Sequence, residues 1–442
     1  MDVVTFYSGL RFKTELPDPH VPIEEILPPK NVILPLSNRT GLICRALVDR
    51  GERVSIGEKI GEDSKKRLTP IHSPISGRVT AIDSYRLAEC GNTLSIFIES
   101  RNSEERDIDH FSVENLRHTK SIDLINVIRD AGVSIVPFEP ITETEGDVAE
   151  GISITKFVIN GIGHGFFGSI ARRLLVEKLA EFIKGVHLVK RIFKPEKVFL
   201  VINEKHEDVI HSIKNTNLEK DIEVFKLRVY YPLGHPYLLF KTLFNQEIPG
   251  PGGRALDTGT VFTSVDAIID TSEAINHGKP LIERYISVLG PGIQTPKNLR
   301  VRIGTPLKDI IDACGGFKGK PGRVVLGNPL NGMAQFSLDR PVLKDTHYLW
   351  VQPEEQVVKD RYRACINCGD CVDACPMQLM PNFLGRFCEF CKYEEAAKQY
   401  DLFTCIECGL CAYVCPSRRP LIQFIKLGKL ELSNREKENV GG

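Results

Sequence analysis

Eight of the chain's thirteen cysteines fall in two short runs, CINCGDCVDACP at residues 365–376 and CIECGLCAYVCP at residues 405–416. Both read C-x2-C-x2-C-x3-C-P. Thiols at every third position can wrap three irons of one cubane cluster, and in two-cluster ferredoxins the fourth thiolate comes from the other run. The expected ligands are therefore Cys365, Cys368, Cys371 and Cys415 for one [4Fe-4S] cluster, and Cys405, Cys408, Cys411 and Cys375 for the other. Pro376 and Pro416 close the runs, while Gly369 and Gly409 let backbone N–H groups turn toward sulfur. The competing chemistry is a pair of zinc sites. Zinc ribbons present separated CxxC pairs, and this crowding of thiols, repeated with a CP ending, is foreign to them.

Cys388 and Cys391 make another CxxC between the runs. With two thiols alone they read as small buried residues on an apolar helix face, the alternative being a redox pair or part of a further metal site. Cys44, Cys90 and Cys314 are isolated and read as core packing. Phe383, Leu384, Phe387, Phe390 and Cys391 recur at helical spacings, which predicts a helical ferredoxin module. RPLIQFIKLGKLEL predicts a closing helix, and residues 431–442 a polar, frayed tail. Arg418, Arg419, Lys426 and Lys429 surround the second run. As a basic rim they would attract an acidic ferredoxin; as a solvated helix face they would not.

These runs must be held by the rest of a 442-residue chain, long enough for several domains. An apolar content of 42%, a charged content of 26% and a formal net charge of zero are those of an ordinary globular protein, with no global pull toward nucleic acid. No export signal and no membrane-spanning run is visible, so the expectation is a soluble or peripheral protein in a reducing compartment. Residues 31–100 read as short strands (NVILPL, ICRALV, GRVTAI, TLSIFIE) around VDRGERVSIGEKIGE and TPIHSPISGRVTAID. That pattern resembles the barrel-sandwich domain of lipoyl and biotinyl carriers. Its hairpin tip, His72 to Gly77, has no lysine for a swinging arm, which leaves a scaffold role. Residues 120–285 alternate helical and strand patterns, the mark of a parallel α/β layer. One strand ends in Gly161, Gly163 and Gly165 before a helix, a weak candidate for a phosphate cradle. Residues 285–335 read as a small β-rich unit with one short helix.

Taken in order, TPIHSPISGRVTAI, GKPLIERYISVLG with LRVRIGTPLKDIIDACGGF, LGNPLNGMA, and the two cysteine runs resemble the RnfC family, one of the components of the Rnf complex. The likeness spans roughly residues 5–430. It implies a multidomain α/β and β fold: a barrel-sandwich hybrid (1–110), a complex I flavoprotein-like α/β domain (118–284), a β-grasp (SLBB) unit (285–345), a helical dicluster ferredoxin domain (355–430) and a tail (431–442). The implied role is electron transfer through two [4Fe-4S] clusters, cytoplasmic and peripheral on the inner face of a membrane. The implied partners are other Rnf-type subunits and a ferredoxin or other redox protein.

The departures concern the nucleotide pocket. Where the family shows a GGAGFPT-type stretch, this chain has Gly132 followed by bulky residues through Pro140. Where it shows an ECEP-type acidic cluster, this chain has Gly163, His164, Gly165 and Phe166. An expected asparagine is Ser264, and the N-terminal GG-x-H is Ser8 to Arg11. Clusters need only thiolates and a dry shell, whereas hydride chemistry needs a flavin held by specific contacts. The expectation is an electron relay with no NADH oxidation at its own site, where these departures count against both FMN and NAD. The alternatives are a catalytic subunit that binds FMN and NADH, and a soluble donor to a partner reductase.

Overall fold

The computed structural model describes residues 4–5, 21–37, 42–88, 91–100, 119–135, 153–163, 169–250, 253–359 and 361–440. Cys90, His164, Gly165, Phe166, Ser8 to Arg11 and residues 136–140 lie outside this set.

Five parallel strands form the central sheet, in the order Val4–Thr5, Glu223–Arg228, Lys197–Asn203, Lys156–Asn160, Thr260–Ser264. Strands Lys197–Asn203 and Lys156–Asn160 are near-continuous apolar runs because both faces are covered. The period of two sorts them: Phe157, Ile159, Leu200 and Ile202 face one core with Phe182, Val186 and Ile268. Val158, Phe199 and Val201 face the other with Leu238, Leu239 and Phe240. The helical pattern over residues 169–192 folds as two helices, Ser169–Glu177 and Leu179–Phe193, with a bend at Lys178. The hydrogen-bond ladder still crosses the bend, since Lys178 N–H donates to Leu174 O and Phe182 N–H to Lys178 O.

Upstream, residues 31–100 fold into a four-stranded antiparallel sheet and a three-stranded one. The hairpin tip is packed inward: His72 and Ser73 are buried, as a scaffold requires. A six-stranded mixed sheet follows the α/β layer, running Met333–Ala334, Pro321–Leu326, Tyr348–Pro353, Glu283–Leu289, Lys297–Arg302, Ile23–Glu25. Strand Ile23–Glu25 therefore serves this sheet, and Val4–Thr5 the central one, although both precede the barrel-sandwich strands. Lys344 ties three units together: its Nζ donates to Thr69 Oγ1 at 3.0 Å, Pro70 O at 2.6 Å and Gly132 O at 3.0 Å. Burial, with the Arg284 charge behind it, pulls this ammonium down to about 7. Cys44 and Cys314 are buried core residues, as expected.

The C-terminal part is helical, with helices Asp370–Asp373, Pro381–Glu389, Tyr393–Tyr400, Leu410–Tyr413 and Leu421–Val440. The last of these continues through residues 431–440, where a frayed tail was expected. Among the described residues, no helix is long and apolar enough to cross a membrane.

Candidate iron–sulfur centres

The two cysteine runs fold as copies of one another, forty residues apart. Asn367 and Glu407, Gly369 and Gly409, and Gln378 and Arg418 all have positive φ. Each glycine precedes a single helical turn that carries the third cysteine, Cys371 or Cys411. The result is two cavities with exchanged ends. One is walled by Cys365, Cys368, Cys371 and Cys415. The other is walled by Cys375, Cys405, Cys408 and Cys411. The fourth thiol of each run thus faces the cavity of the other run. Cys371 and Cys411 are buried in one apolar cluster with Leu421, so the two sites are neighbours.

Burial raises the thiols of Cys371, Cys375 and Cys405, and pushes Cys408 up to about 12. It raises Cys411 further, and the facing cysteines add to the effect. Backbone donors already point at sulfur: Leu379 N–H lies 3.4 Å from Cys375 Sγ, and Glu407 N–H 3.4 Å from Cys405 Sγ. Four cysteines lining one cavity in an apolar wall fit a [4Fe-4S] cluster at each site, and at the second the Leu379 and Glu407 N–H groups meet sulfur.

The sites differ in exposure. At the first, Cys365 and Cys368 are exposed and Ile366 is 66% exposed. The second is clamped against the rest of the chain. Tyr231 Oη donates to Cys408 O at 2.6 Å, and Lys429 Nζ donates to Cys405 O at 2.6 Å and contacts Glu407 Oε1 at 3.0 Å. Ile406 and Met377 pack into the core formed by Leu233, Leu238 and Phe240. Gly409 lies under the Leu330 carbonyl, where a Cβ would come within 2.3 Å of the oxygen. Asn328 shapes that covering loop, its Oδ1 accepting from Leu330 N–H at 2.8 Å and Asn331 N–H at 3.2 Å. Residue spacing offered no signal for Tyr231, Asn328 or Lys429 as parts of this clamp.

Two expectations are corrected here. The basic rim is mostly turned inward: Arg419 is buried and paired with Glu389, Lys426 donates to Asn331 O at 2.8 Å, and Lys429 serves the second site. Arg418 alone of the four is exposed. The CxxC between the runs is not a buried pair. Cys388 is buried but Cys391 is exposed, because helix Pro381–Glu389 ends before it.

In the described part of the expected nucleotide pocket, the glycine N–H groups are taken up within the chain. Gly161 N–H donates to Val201 O at 2.8 Å, and Ile162 and Gly163 N–H both donate to Asn160 Oδ1 at 3.1 Å. Gly132 sits at φ 82 and ends helix Ser121–Asp130, with its N–H bonded to Arg129 O at 2.8 Å. Ser264 caps the next helix by accepting from Ala267 N–H at 3.4 Å. These residues do not fit an FMN phosphate.

A parallel α/β layer, a barrel sandwich, a β-grasp sheet and a doubled four-cysteine fold define a multidomain iron–sulfur electron carrier. Family models agree in chain order: RnfC barrel sandwich hybrid domain at residues 5–103, Nuo51 FMN-binding domain at 146–272, SLBB domain at 285–334 and 4Fe-4S dicluster domain at 364–418. The chain is 31% identical over 419 residues to the RnfC-type component of the proton-translocating ferredoxin:NAD(+) oxidoreductase complex of Clostridium ljungdahlii, covering 93% of this chain and 90% of the relative. It is 28% identical over 414 residues to the counterpart in the Na(+)-translocating complex of Acetobacterium woodii, covering 93% of each. It is 29% identical over 434 residues to the counterpart in the ion-translocating oxidoreductase complex of Methanosarcina acetivorans, covering 93% of this chain and 94% of that one. The chain belongs to this family, the RnfC proteins of ion-translocating oxidoreductase complexes.

Proposed function

We propose that this chain is the electron-transfer subunit of an Rnf-type ion-translocating oxidoreductase complex, and that it works as a relay between protein partners. The carrying observation is the pair of four-cysteine cavities, one open to solvent and one clamped inside the molecule. Cys365, Cys368, Cys371 and Cys415 would hold one [4Fe-4S] cluster, and Cys405, Cys408, Cys411 and Cys375 the other. Bound there, the clusters supply one-electron transfer at low potential. The protein does the rest. Cys371, Cys411 and Leu421 keep water from between the sites. Tyr231 and Lys429 fix the carbonyls of the second loop. The exposed edge at Cys365 and Cys368 offers the first site to a redox partner, a ferredoxin or similar carrier. Other subunits of the complex would hold the chain at the inner face of a membrane.

The match to an FMN-binding domain favours a second reading, a subunit that oxidises or forms NADH itself. Against it stand the occupied donors of Gly161 to Gly163. One experiment separates the two. Anaerobic, iron-loaded protein is mixed with NADH, and the visible cluster absorbance is followed. A relay keeps its absorbance with NADH and bleaches with reduced ferredoxin. Bleaching by NADH alone would overturn the relay and establish a working nucleotide site.

A further inference from the structure

Cys388 and Cys391 belong to neither four-thiol site. The Cys391 N–H donates to Cys388 O at 3.1 Å, and Cys391 sits at φ 58. A turn closed by an i to i+3 bond keeps the two Cα atoms within about 7 Å, inside the range a disulfide bridges. The pair is asymmetric, with Cys391 exposed and Cys388 1% exposed. The buried member is next to the second site, since Cys388, Cys375 and Cys405 share one apolar cluster. The closing helix passes directly over it at Gly428, where a Cβ would come within 2.5 Å of Cys388 Sγ. Both cysteines lie at the C-terminal end of helix Pro381–Glu389.

We propose that Cys388 and Cys391 are a dithiol–disulfide couple in electronic contact with the second site through Cys405. The proposal rests on that site holding a cluster. Oxidation proceeds by exchange with a low-molecular-weight or protein disulfide. The Cys391 thiolate attacks one sulfur of that disulfide and expels the first thiolate. Cys388 then attacks Cys391 Sγ, forms the internal bond and expels the second. The two protons lost by the pair leave with the two thiolates as thiols. Reopening the bond takes two electrons and two protons. A cluster held by Cys375, Cys405, Cys408 and Cys411 would supply the electrons singly, and water at Cys391 the protons. The couple would store an electron pair beside a chain of one-electron carriers.

The test uses full-length, anaerobic, cluster-loaded protein and hydroxyethyl disulfide as the probe. After oxidation the protein is denatured, alkylated and cut with trypsin. Cleavage after Arg386 and Lys392 isolates FCEFCK, which holds these two cysteines and no others. The expected result is this peptide unalkylated and lighter by two hydrogens. Reductive titration of the oxidised protein should then consume about four electrons per chain, against about two for Cys391→Ser. A doubly alkylated peptide, or one bearing a single hydroxyethyl adduct, would overturn the couple. An internal disulfide with equal electron uptake in wild type and variant would overturn its contact with the second site. Iron assay of the same sample separates failure of the cluster reading, which lowers iron, from failure of this one, which does not.

Discussion

Tyr231 Oη donates to the backbone carbonyl of Cys408 at 2.6 Å, across 177 residues of chain. This bond joins the α/β layer to the loop of the second four-cysteine site, and Asn328 Nδ2 approaches the same hydroxyl at 3.4 Å. Tyr231→Phe leaves the Cys408 carbonyl and the Asn328 amide short of a partner at a buried seam. The cost is about 1–3 kcal/mol. Iron at the second site should then escape to a chelator roughly tenfold faster while iron at the first is unchanged, giving biphasic release. Uniform release, identical to wild type, would show that the seam does not restrain the second site.

Cys368 and Cys408 occupy equivalent positions in the two copies of the cysteine fold. Cys368→Ala should cost about half of the iron and acid-labile sulfide, because each cavity depends on its own four thiols. Cys408→Ala should cost the other half, and the two variants should differ in which reduced-cluster electron spin resonance signal survives. Full iron retention in either would refute the exchanged ligand sets.

The doubled cysteine pattern was legible because residue spacing is a local property of the chain. Helix and strand patterns in the α/β layer were legible for the same reason, since Lys156–Asn160 and Lys197–Asn203 bury both faces and read as apolar runs. The clamp on the second site was not. Tyr231, Asn328 and Lys429 are ordinary polar residues until the fold brings them to one loop. The basic rim was misread because charge says nothing about direction. Arg419 packs against both the Tyr362 and Phe424 rings, at 5.6 and 5.8 Å, and Lys429 reaches inward to Cys405 O. The CxxC was half misread because its helix stops between the two cysteines.

Glu283 lies buried among Lys279 Nζ at 2.8 Å, Arg300 Nε at 2.9 Å and Arg302 Nη1 at 3.1 Å. Burial works to raise its carboxyl, but the Arg300 hydrogen bonds and the Lys279 and Arg302 charges overcome it and hold the group at about 2. The folded value lies below the unfolded one, so the stability it gives is present above about pH 4.5 and is lost as pH falls toward 2. Glu283→Gln leaves three cations around a neutral amide and should destabilise by about 3 kcal/mol at pH 7. It should also flatten the acid dependence in that window. The single tryptophan, Trp350, pairs with Leu289 in the same sheet and reports unfolding by fluorescence. An acid transition of unchanged steepness in the variant would remove Glu283 as its source.

The exposed edge of the first site carries its own charges. Arg361 and Arg363 precede Cys365, Arg418 follows Cys415, and all three are exposed. Arg363 N–H donates to Ser417 O at 2.9 Å, which sets these segments side by side. Asp370 and Asp373, in the next helical turn, are exposed and temper that charge. Ile366 stands among them as an apolar contact, 66% exposed. An acidic one-electron carrier would be steered here by long-range attraction, which acts on the association rate and is screened by salt. Arg361→Glu with Arg363→Glu should slow electron exchange with an acidic ferredoxin by about three- to tenfold at low salt, and the difference should vanish near roughly 0.5 M salt. Reversing Arg419 would be a poor test, because it breaks the buried pair with Glu389. Stopped-flow rates across ionic strength decide the matter. Variant and wild-type rates that coincide at every salt concentration would mean that the partner meets the first site without help from this rim.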